Sequence, residues 1–197
     1  MRRIRLKPRF WVIVAVLIIG SVILCGCHKN PKGVEESKCT EEVLDKAIAE
    51  TNFYLDIPLE QELQRQLHDA CEEFSVDYYI MVALIDRETR FQNVIGDSGD
   101  SIGYCQIQPK WWYGLMEDIG ADNLAVPKDN FRTACAIMRQ LMDKYESLEG
   151  ALVAYNTGSY KGYSTEYSRD IIAKAEAYKK EKCLSQRALG EAQIKNL

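Results

Sequence analysis

The chain has 197 residues, of which 47% are hydrophobic and 27% are charged, enough for one globular domain with a buried core. Its formal net charge is −4, but residues 1–9 hold five basic residues and no acidic one. The rest of the chain is therefore strongly acidic, which argues against nucleic acid as a partner. With only two histidines and no cysteine spacing typical of zinc, the sequence predicts no metal site, no cofactor and no histidine-based catalysis.

The N-terminus predicts attachment to a membrane. Residues 1–9 precede the uncharged apolar run 10–27, a pattern typical of an export signal or a signal anchor with its basic end in the cytoplasm. The run is about long enough to span a bilayer, since roughly 20 helical residues do so. It ends in Leu24–Cys27 (LCGC), which resembles the lipobox of bacterial lipoproteins, with Cys27 as the lipidated residue. An uncleaved anchor is the alternative, because Cys25 stands where a smaller residue is usual. Both readings predict a bacterial protein on the extracytoplasmic face of the cell membrane.

Composition and periodicity divide the chain into four segments. Residues 1–27 form the membrane segment, 28–56 a polar tether with a short helix, 57–181 a helical domain, and 182–197 a C-terminal tail. Apolar residues recurring at steps of three and four predict the helices over 41–51, 58–74, 78–89, 128–146, 148–156 and 165–181.

Polar and glycine residues predict where some helices begin and end. Asp77 is expected to cap the helix over 78–89, and Gly158 to end the helix over 148–156. Residues 90–108 are rich in Gly, Asp and Ser and predict a long loop, with at most a short hairpin ending at Tyr104–Ile107. Pro109 suits the first turn of a further helix. The expected fold class is all-α with a long functional loop.

The junction between an apolar helix and this loop carries the strongest chemical signal. Glu88 lies at the end of the helix over 78–89, which is apolar on most sides. A carboxyl at such a junction is partly desolvated, which raises its pKa and lets it donate a proton near neutral pH. That is the main requirement for cleaving a glycosidic bond. The alternative is a surface glutamate paired with Arg87 or Arg90.

Five cysteines lie beyond the membrane segment, an odd number that cannot pair fully within one chain. Cys71, Cys105 and Cys135 are expected to be small buried hydrophobic residues. A bridge between Cys39 and Cys183 is an alternative that the spacing does not decide.

Four short elements in order carry a family resemblance. They are Glu88–Phe91 (ETRF), Gly103–Ile107 (GYCQI), Asn130–Ala134 (NFRTA) and Ala154–Gly158 (AYNTG), followed by Tyr167. On these motifs, residues 75–178 resemble the catalytic domain of the soluble-type lytic transglycosylases, the lysozyme-like glycoside hydrolase family 23 that acts on bacterial peptidoglycan. The resemblance implies a lysozyme-like all-α fold and glycan strands of peptidoglycan as the substrate.

Three residues depart from the family pattern. Thr89 replaces a serine but keeps the hydroxyl, and the resemblance makes it a substrate-binding candidate. Cys105 replaces a methionine and is expected in the core. Ala134 replaces a glycine, which suggests slightly looser helix packing. None of the three removes a group that the chemistry needs.

The resemblance also implies roles for individual residues. Glu88 becomes the general acid that protonates the leaving glycosidic oxygen and then the base that recovers a proton. Gln106 and Asn156 are substrate-binding candidates whose amides hold sugar hydroxyls or N-acetyl groups, or else cap a loop or helix. Tyr155 and Tyr167 are similar to family tyrosines that line the site and hydrogen-bond the carboxyl, or else pack in the core.

Lytic transglycosylases use one carboxylate where ordinary glycosidases use two. The C6 hydroxyl of the same muramic acid attacks, so the expected product is a 1,6-anhydromuramoyl end and no water is consumed. Asp97, in the loop after Glu88, raises the alternative of a goose-type-like lysozyme in which this carboxylate activates water. The competing interpretation is that Asp97 and Asp100 shape turns.

Two further alternatives stay open. The protein could be a catalytically silent wall-binding or secretion-assembly protein, although the presence together of four residues argues against it: Glu88, Gln106, Tyr155 and Asn156. The aromatic residues near the loop could stack on sugars or pack in the core; they are Trp111, Trp112, Tyr160 and Tyr163.

Overall fold

The computed structural model describes residues 53–194, with side chains through residue 188. The predicted membrane segment with Cys27, the tether, the helix over 41–51 and Cys39 lie outside the described residues. Within residues 53–194, no helix has both the length and the apolar character needed to cross a membrane.

Helices dominate the described part of the chain, as the all-α prediction requires. They are α1 (Gln61–Phe74), α2 (Tyr78–Thr89), α3 (Tyr113–Ile119), α4 (Pro127–Tyr145), α5 (Leu148–Thr157) and α6 (Glu166–Ile194). Two-residue strands, β1 (Ile95–Gly96) and β2 (Ser101–Ile102), pair antiparallel with Ile95 opposite Ile102. An isolated bridge joins Ile102 to Ile107, so the hairpin region extends to the predicted end.

Helix α2 has the predicted bounds and the predicted central position. The Asp77 carboxylate accepts hydrogen bonds from the backbone N–H groups of Tyr79 and Ile80, at 2.9 and 3.2 Å. Residues 80–85 are all buried, because α2 packs against α6. The helix ends at Thr89, since Arg90 adopts a left-handed conformation with φ 51°. The helix over 148–156 also ends as predicted, with Gly158 at φ 80°.

Helix α1 begins three residues later than the pattern predicts. The buried side chain of Gln64 accepts a hydrogen bond from the Leu55 N–H at 2.8 Å and donates to the carbonyls of Leu55 and Leu59 at 3.0 and 2.8 Å. These bonds hold the segment before Gln61 in a non-helical path, so Pro58 lies outside the helix.

Helix α6 is longer than predicted. It continues through residue 181 to Ile194, so most of the segment predicted as a separate tail is helical. Residues 182–194 contain no proline and are rich in Ala, Lys, Gln, Glu and Leu, which have high helix propensity.

The core lies between the four longer helices and α5. Helix α4 packs against α1 on one side and α5 on the other, and α5 also contacts α6. Leu67, Ile85 and Phe131 are among its fully buried side chains. Cys71, Cys105 and Cys135 are buried free thiols, which confirms the prediction that they act as small hydrophobic residues. Cys183 is exposed, and its proposed partner Cys39 lies outside the described residues.

Candidate active site

The Glu88 carboxyl lies in the last turn of α2, against α6. The hydroxyl of Tyr167, which is 7% exposed, donates a hydrogen bond to Glu88 Oε1 at 2.5 Å. Burial raises the pKa of Glu88 above its ordinary value; the Tyr167 hydrogen bond and the Arg87 charge lower it, and the Asp97 charge raises it. The predicted desolvation of this carboxyl is therefore present, and burial outweighs the bond from Tyr167.

Charged residues on α2 and α6 hold the two helices together beside the carboxyl. Lys174 contacts Asp86 at 2.7 Å, and the Tyr178 hydroxyl donates to the same carboxylate at 3.2 Å. Arg87 pairs with Asp170 at 3.7 Å. Glu88 is only partly exposed and its carboxyl is bonded by Tyr167, so the alternative of a surface glutamate paired with Arg87 or Arg90 is not what the structure contains.

Thr89 joins the end of α2 to the loop. Its hydroxyl lies 3.0 Å from the carbonyl oxygen of Tyr104 and 3.2 Å from that of Ile85. A hydroxyl has one proton to donate, and both acceptors near the Thr89 hydroxyl are backbone carbonyl oxygens. The structure thus places Thr89 as a residue that positions Glu88 against the loop, and its hydroxyl proton is not directed to a substrate.

Tyr155 contacts the same loop at Cys105, one residue after the Tyr104 carbonyl that lies near Thr89. Its hydroxyl donates to the carbonyl oxygen of Cys105 at 2.9 Å. The resemblance led us to expect both tyrosines on the catalytic carboxyl, but only Tyr167 makes that bond. Burial raises the pKa of both hydroxyls well above the ordinary tyrosine value, so both stay protonated as donors.

Asn130 of α4 is the hub of the loop, a role that the sequence analysis did not assign to it. Its side chain is fully buried; Oδ1 accepts from the Cys105 N–H at 2.9 Å, and Nδ2 donates to Ile102 and Leu124 carbonyls at 2.9 and 3.1 Å. Gly103 has φ 81°, and a Cβ there would overlap the Asn130 amide. A polar residue on the apolar face of α4 was the signal that could have identified this hub.

The Gln106 side chain forms hydrogen bonds within the loop. Its backbone has φ 49°, and its amide nitrogen donates to the carbonyls of Val94 and Gly103 at 3.1 and 2.8 Å. Gly96 leaves room for this arrangement, because a Cβ at that position would overlap the Gln106 amide oxygen. Both amide protons are used, so only the amide oxygen of Gln106 is left to accept a hydrogen bond from a substrate.

Asp97 lies in the turn between the two strands. Its carboxylate accepts a hydrogen bond from the Ser101 hydroxyl at 2.5 Å, and its carbonyl accepts from the Asp100 N–H at 3.2 Å. Both bonds are of the turn-shaping kind. The side chain is nevertheless exposed, and its charge acts on Glu88.

Residues 67–177, more than half of the chain, match the family described as Transglycosylase SLT domain. The chain belongs to this family. The matched range contains all the residues of the loop and its contacts described above. A search of the curated proteins found no match.

Membership of the SLT family implies a lytic transglycosylase type of enzyme with peptidoglycan as its substrate.

The other predicted site residue, Asn156, is exposed near the end of α5, and its side chain forms no hydrogen bond to another described residue. Among the described residues, no cluster of three or more His, Cys, Asp or Glu side chains is placed to hold a metal ion.

The aromatic candidates divide into two groups. Trp112 and Tyr160 are partly buried and pack against the core. Trp111 and Tyr163 are 72% and 61% exposed. The core-packing interpretation therefore holds for the first pair, and the second pair is mostly exposed.

Proposed function

We propose that this SLT-family protein is a peptidoglycan lytic transglycosylase. It cleaves the β-1,4 bond between N-acetylmuramic acid and N-acetylglucosamine and leaves 1,6-anhydromuramic ends. The observation that carries the proposal is the Glu88 carboxyl, which is desolvated enough to have a raised pKa and is oriented by Tyr167. A group of this kind is protonated at higher pH than an ordinary glutamate and is suited to general acid catalysis.

In the proposed reaction Glu88 first donates a proton and later accepts one, and no second protein carboxyl takes part. Protonated Glu88 transfers its proton to the glycosidic oxygen as the bond from that oxygen to C1 of muramic acid breaks, assisted by the sugar's own N-acetyl group. The C6 hydroxyl of the same sugar then forms the new bond to C1 and gives its proton to the Glu88 carboxylate. No water is consumed, and the attacking hydroxyl is intramolecular, which raises its effective concentration.

Tyr167 supports the proton donation by Glu88. When Glu88 has donated its proton it is a carboxylate in a largely buried position, and a hydrogen bond to a charged group is stronger than a neutral one. The hydroxyl of Tyr167 therefore stabilises the intermediate state of the acid. Asn130, Thr89 and Tyr155 act at a distance by fixing the loop that faces Glu88.

Hydrolysis by a goose-type-like mechanism is the second candidate. It is favoured by one observation, the exposed Asp97 carboxylate whose charge raises the pKa of Glu88. Against it stands the Ser101 hydrogen bond, which uses this carboxylate in the turn. We therefore place the transglycosylase first.

Digestion of purified peptidoglycan followed by mass spectrometry of the muropeptides tests the choice. We expect mainly anhydromuramoyl ends, and mainly reducing ends would support the lysozyme instead. Glu88→Gln is the matched control, because it keeps the side-chain volume and removes the proton donor. If neither wild type nor this variant cleaves peptidoglycan, the protein is better described as a silent wall-binding or secretion-assembly protein. Cleavage by the variant at the wild-type rate would contradict the assignment of Glu88 as the general acid.

We further propose that the enzyme works on the extracytoplasmic face of the bacterial cell membrane, attached by residues 1–27. The support is the sequence pattern of basic residues followed by an apolar run. Attachment is through lipid on Cys27 or through an uncleaved anchor. A Cys27→Ser variant that no longer incorporates labelled fatty acid, compared with wild type, would favour the lipid, and wild-type protein without label would favour the anchor.

A further inference from the structure

Trp111 has an exposed indole on the turn that directly follows the loop over residues 90–108. It ends the short 3-10 helix Pro109–Trp111 and is 72% exposed, whereas its neighbour Trp112 is packed against the core. Single exposed apolar residues are common on protein surfaces. Exposure alone therefore does not give this ring a role.

The indole of Trp111 is held in place by a chain of hydrogen bonds that leads back into the loop. Its Nε1–H donates to Gln108 Oε1 at 3.2 Å, and Gln108 Nε2 donates to Ser101 Oγ at 3.3 Å. The Ser101 hydroxyl in turn donates to Asp97 at 2.5 Å. Asp97 lies on the same loop as Tyr104, whose carbonyl is 3.0 Å from the hydroxyl of Thr89, the residue next to Glu88. Hydrogen bonds therefore join the exposed ring to the loop that packs beside the catalytic carboxyl.

A second contact restrains the turn. Lys110 forms an ion pair with Asp100 at 2.5 Å, and its ammonium lies 5.7 Å from the centre of the Trp111 ring. Both contacts of the turn end on residues of the same loop. The ring is therefore fixed relative to the loop, although most of its surface remains open.

We propose that Trp111 is a stacking platform for a sugar ring of the glycan strand beyond the cleaved bond. This proposal rests on the proposed function, since it takes its occupant from the family's polymeric substrate. A pyranose has an apolar face of C–H groups that covers an indole well, while its hydroxyls remain in water. Because the indole nitrogen is already bonded to Gln108, the open part of the ring is apolar.

A remote contact of this kind aligns a polymer with the catalytic group. Binding energy from parts of a substrate that do not react helps to hold the reacting bond in place. The platform should therefore matter for glycan strands and matter little for a fragment too short to reach it. A residue with only a structural role would affect both substrates alike.

The first test measures binding without cleavage. Full-length protein with Glu88→Gln is titrated with soluble, peptide-free glycan strands of peptidoglycan, and the dissociation constant is compared after adding Trp111→Ala, Trp111→Phe or Tyr113→Ala. We expect about tenfold weaker binding for Trp111→Ala and a smaller loss for Trp111→Phe, which keeps a flat ring. Tyr113 is 67% exposed two residues away and makes no hydrogen bond to another described residue through its side chain, so its variant should bind like the parent.

Two results would overturn the proposal. One is Trp111→Ala binding the strands as tightly as the parent, and the other is an equal loss in Tyr113→Ala, which would indicate general adhesion by surface aromatic residues. A second measurement uses cleavage by the protein with intact Glu88. Trp111→Ala should lower kcat/KM for long strands and leave cleavage of a tetrasaccharide unchanged.

These tests separate the two proposals. If digestion yields no anhydro ends but Trp111→Ala weakens strand binding, the proposed reaction fails and the platform stands. If anhydro ends form in wild type and binding is insensitive to Trp111, the platform fails and the reaction stands.

Discussion

Removing the Tyr167 hydroxyl is the sharpest perturbation of the proposed acid. Tyr167→Phe deletes one partly buried hydrogen bond to Glu88, with an oxygen–oxygen distance of 2.5 Å, and leaves the buried ring in place. A hydrogen bond to a charged group contributes about 1.5–3 kcal/mol. That loss falls on the carboxylate that forms as Glu88 donates its proton, so kcat should decrease roughly 10- to 100-fold.

The same substitution should change the pH dependence in a defined direction. The general acid must be protonated at the start, so activity falls as pH rises through the pKa of Glu88. Because the Tyr167 hydrogen bond lowers this pKa, its removal should move the falling limb of the pH profile to higher pH. Initial rates of anhydro-end formation, measured across pH for wild type and Tyr167→Phe, provide the comparison.

Tyr155→Phe is the matched control for this experiment. It removes a hydroxyl of the same chemistry, but one that is bonded to the neutral carbonyl of Cys105 at 2.9 Å. We expect the activity of Tyr155→Phe to fall at the same pH as that of wild type, whatever the maximal rate of the variant. The reasoning would be refuted if Tyr167→Phe kept both the wild-type rate and the wild-type limb, or if the two variants shifted the limb equally.

Three further predictions follow from the same contacts. Asp97→Asn removes a charge that raises the pKa of Glu88, so the falling limb should move to lower pH while mass spectrometry still finds anhydro ends. Asn130→Ala removes three hydrogen bonds of a fully buried side chain and should lower the free energy of unfolding by about 3 kcal/mol in urea denaturation. Glu88→Gln should gain stability relative to wild type as pH rises above 4.5, because the raised folded-state pKa makes ionisation costlier in the folded chain than in the unfolded chain. A stability difference between Glu88→Gln and wild type that is the same at about pH 4 and about pH 8 would contradict the last prediction.

Local features of the fold were predictable because they depend on neighbouring residues. The Asp77 cap and the apolar run behind it specify where α2 begins and that it is buried, and Gly158 supplies the left-handed residue that ends α5. Helix bounds were less predictable where a distant or buried side chain decides them. The Gln64 side chain delays α1, and this could not be read from the periodicity of the segment.

For the site residues too, the residue type could be predicted from the sequence, but the contacts with distant residues could not. Gln106 stands out in its motif because of its amide, but the motif does not show that the Val94 and Gly103 carbonyls use both amide protons. Asn130 likewise lies within a motif that does not show it to be the hub of the loop. In both cases the missing information was the path of the loop backbone, which depends on several positive-φ residues acting together.

The helical class, the family and the position of Glu88 where an apolar helix meets a polar loop could all be predicted from the sequence. Those conclusions depend on periodicity, on motif order and on the chemistry of single side chains. The folded chain was needed to show that Tyr167, 79 residues away, donates to Glu88 while Tyr155 donates to the loop. The physical reason is that such partners meet only when α6 packs on α2, and that packing also supplies the burial that raises the pKa of the carboxyl.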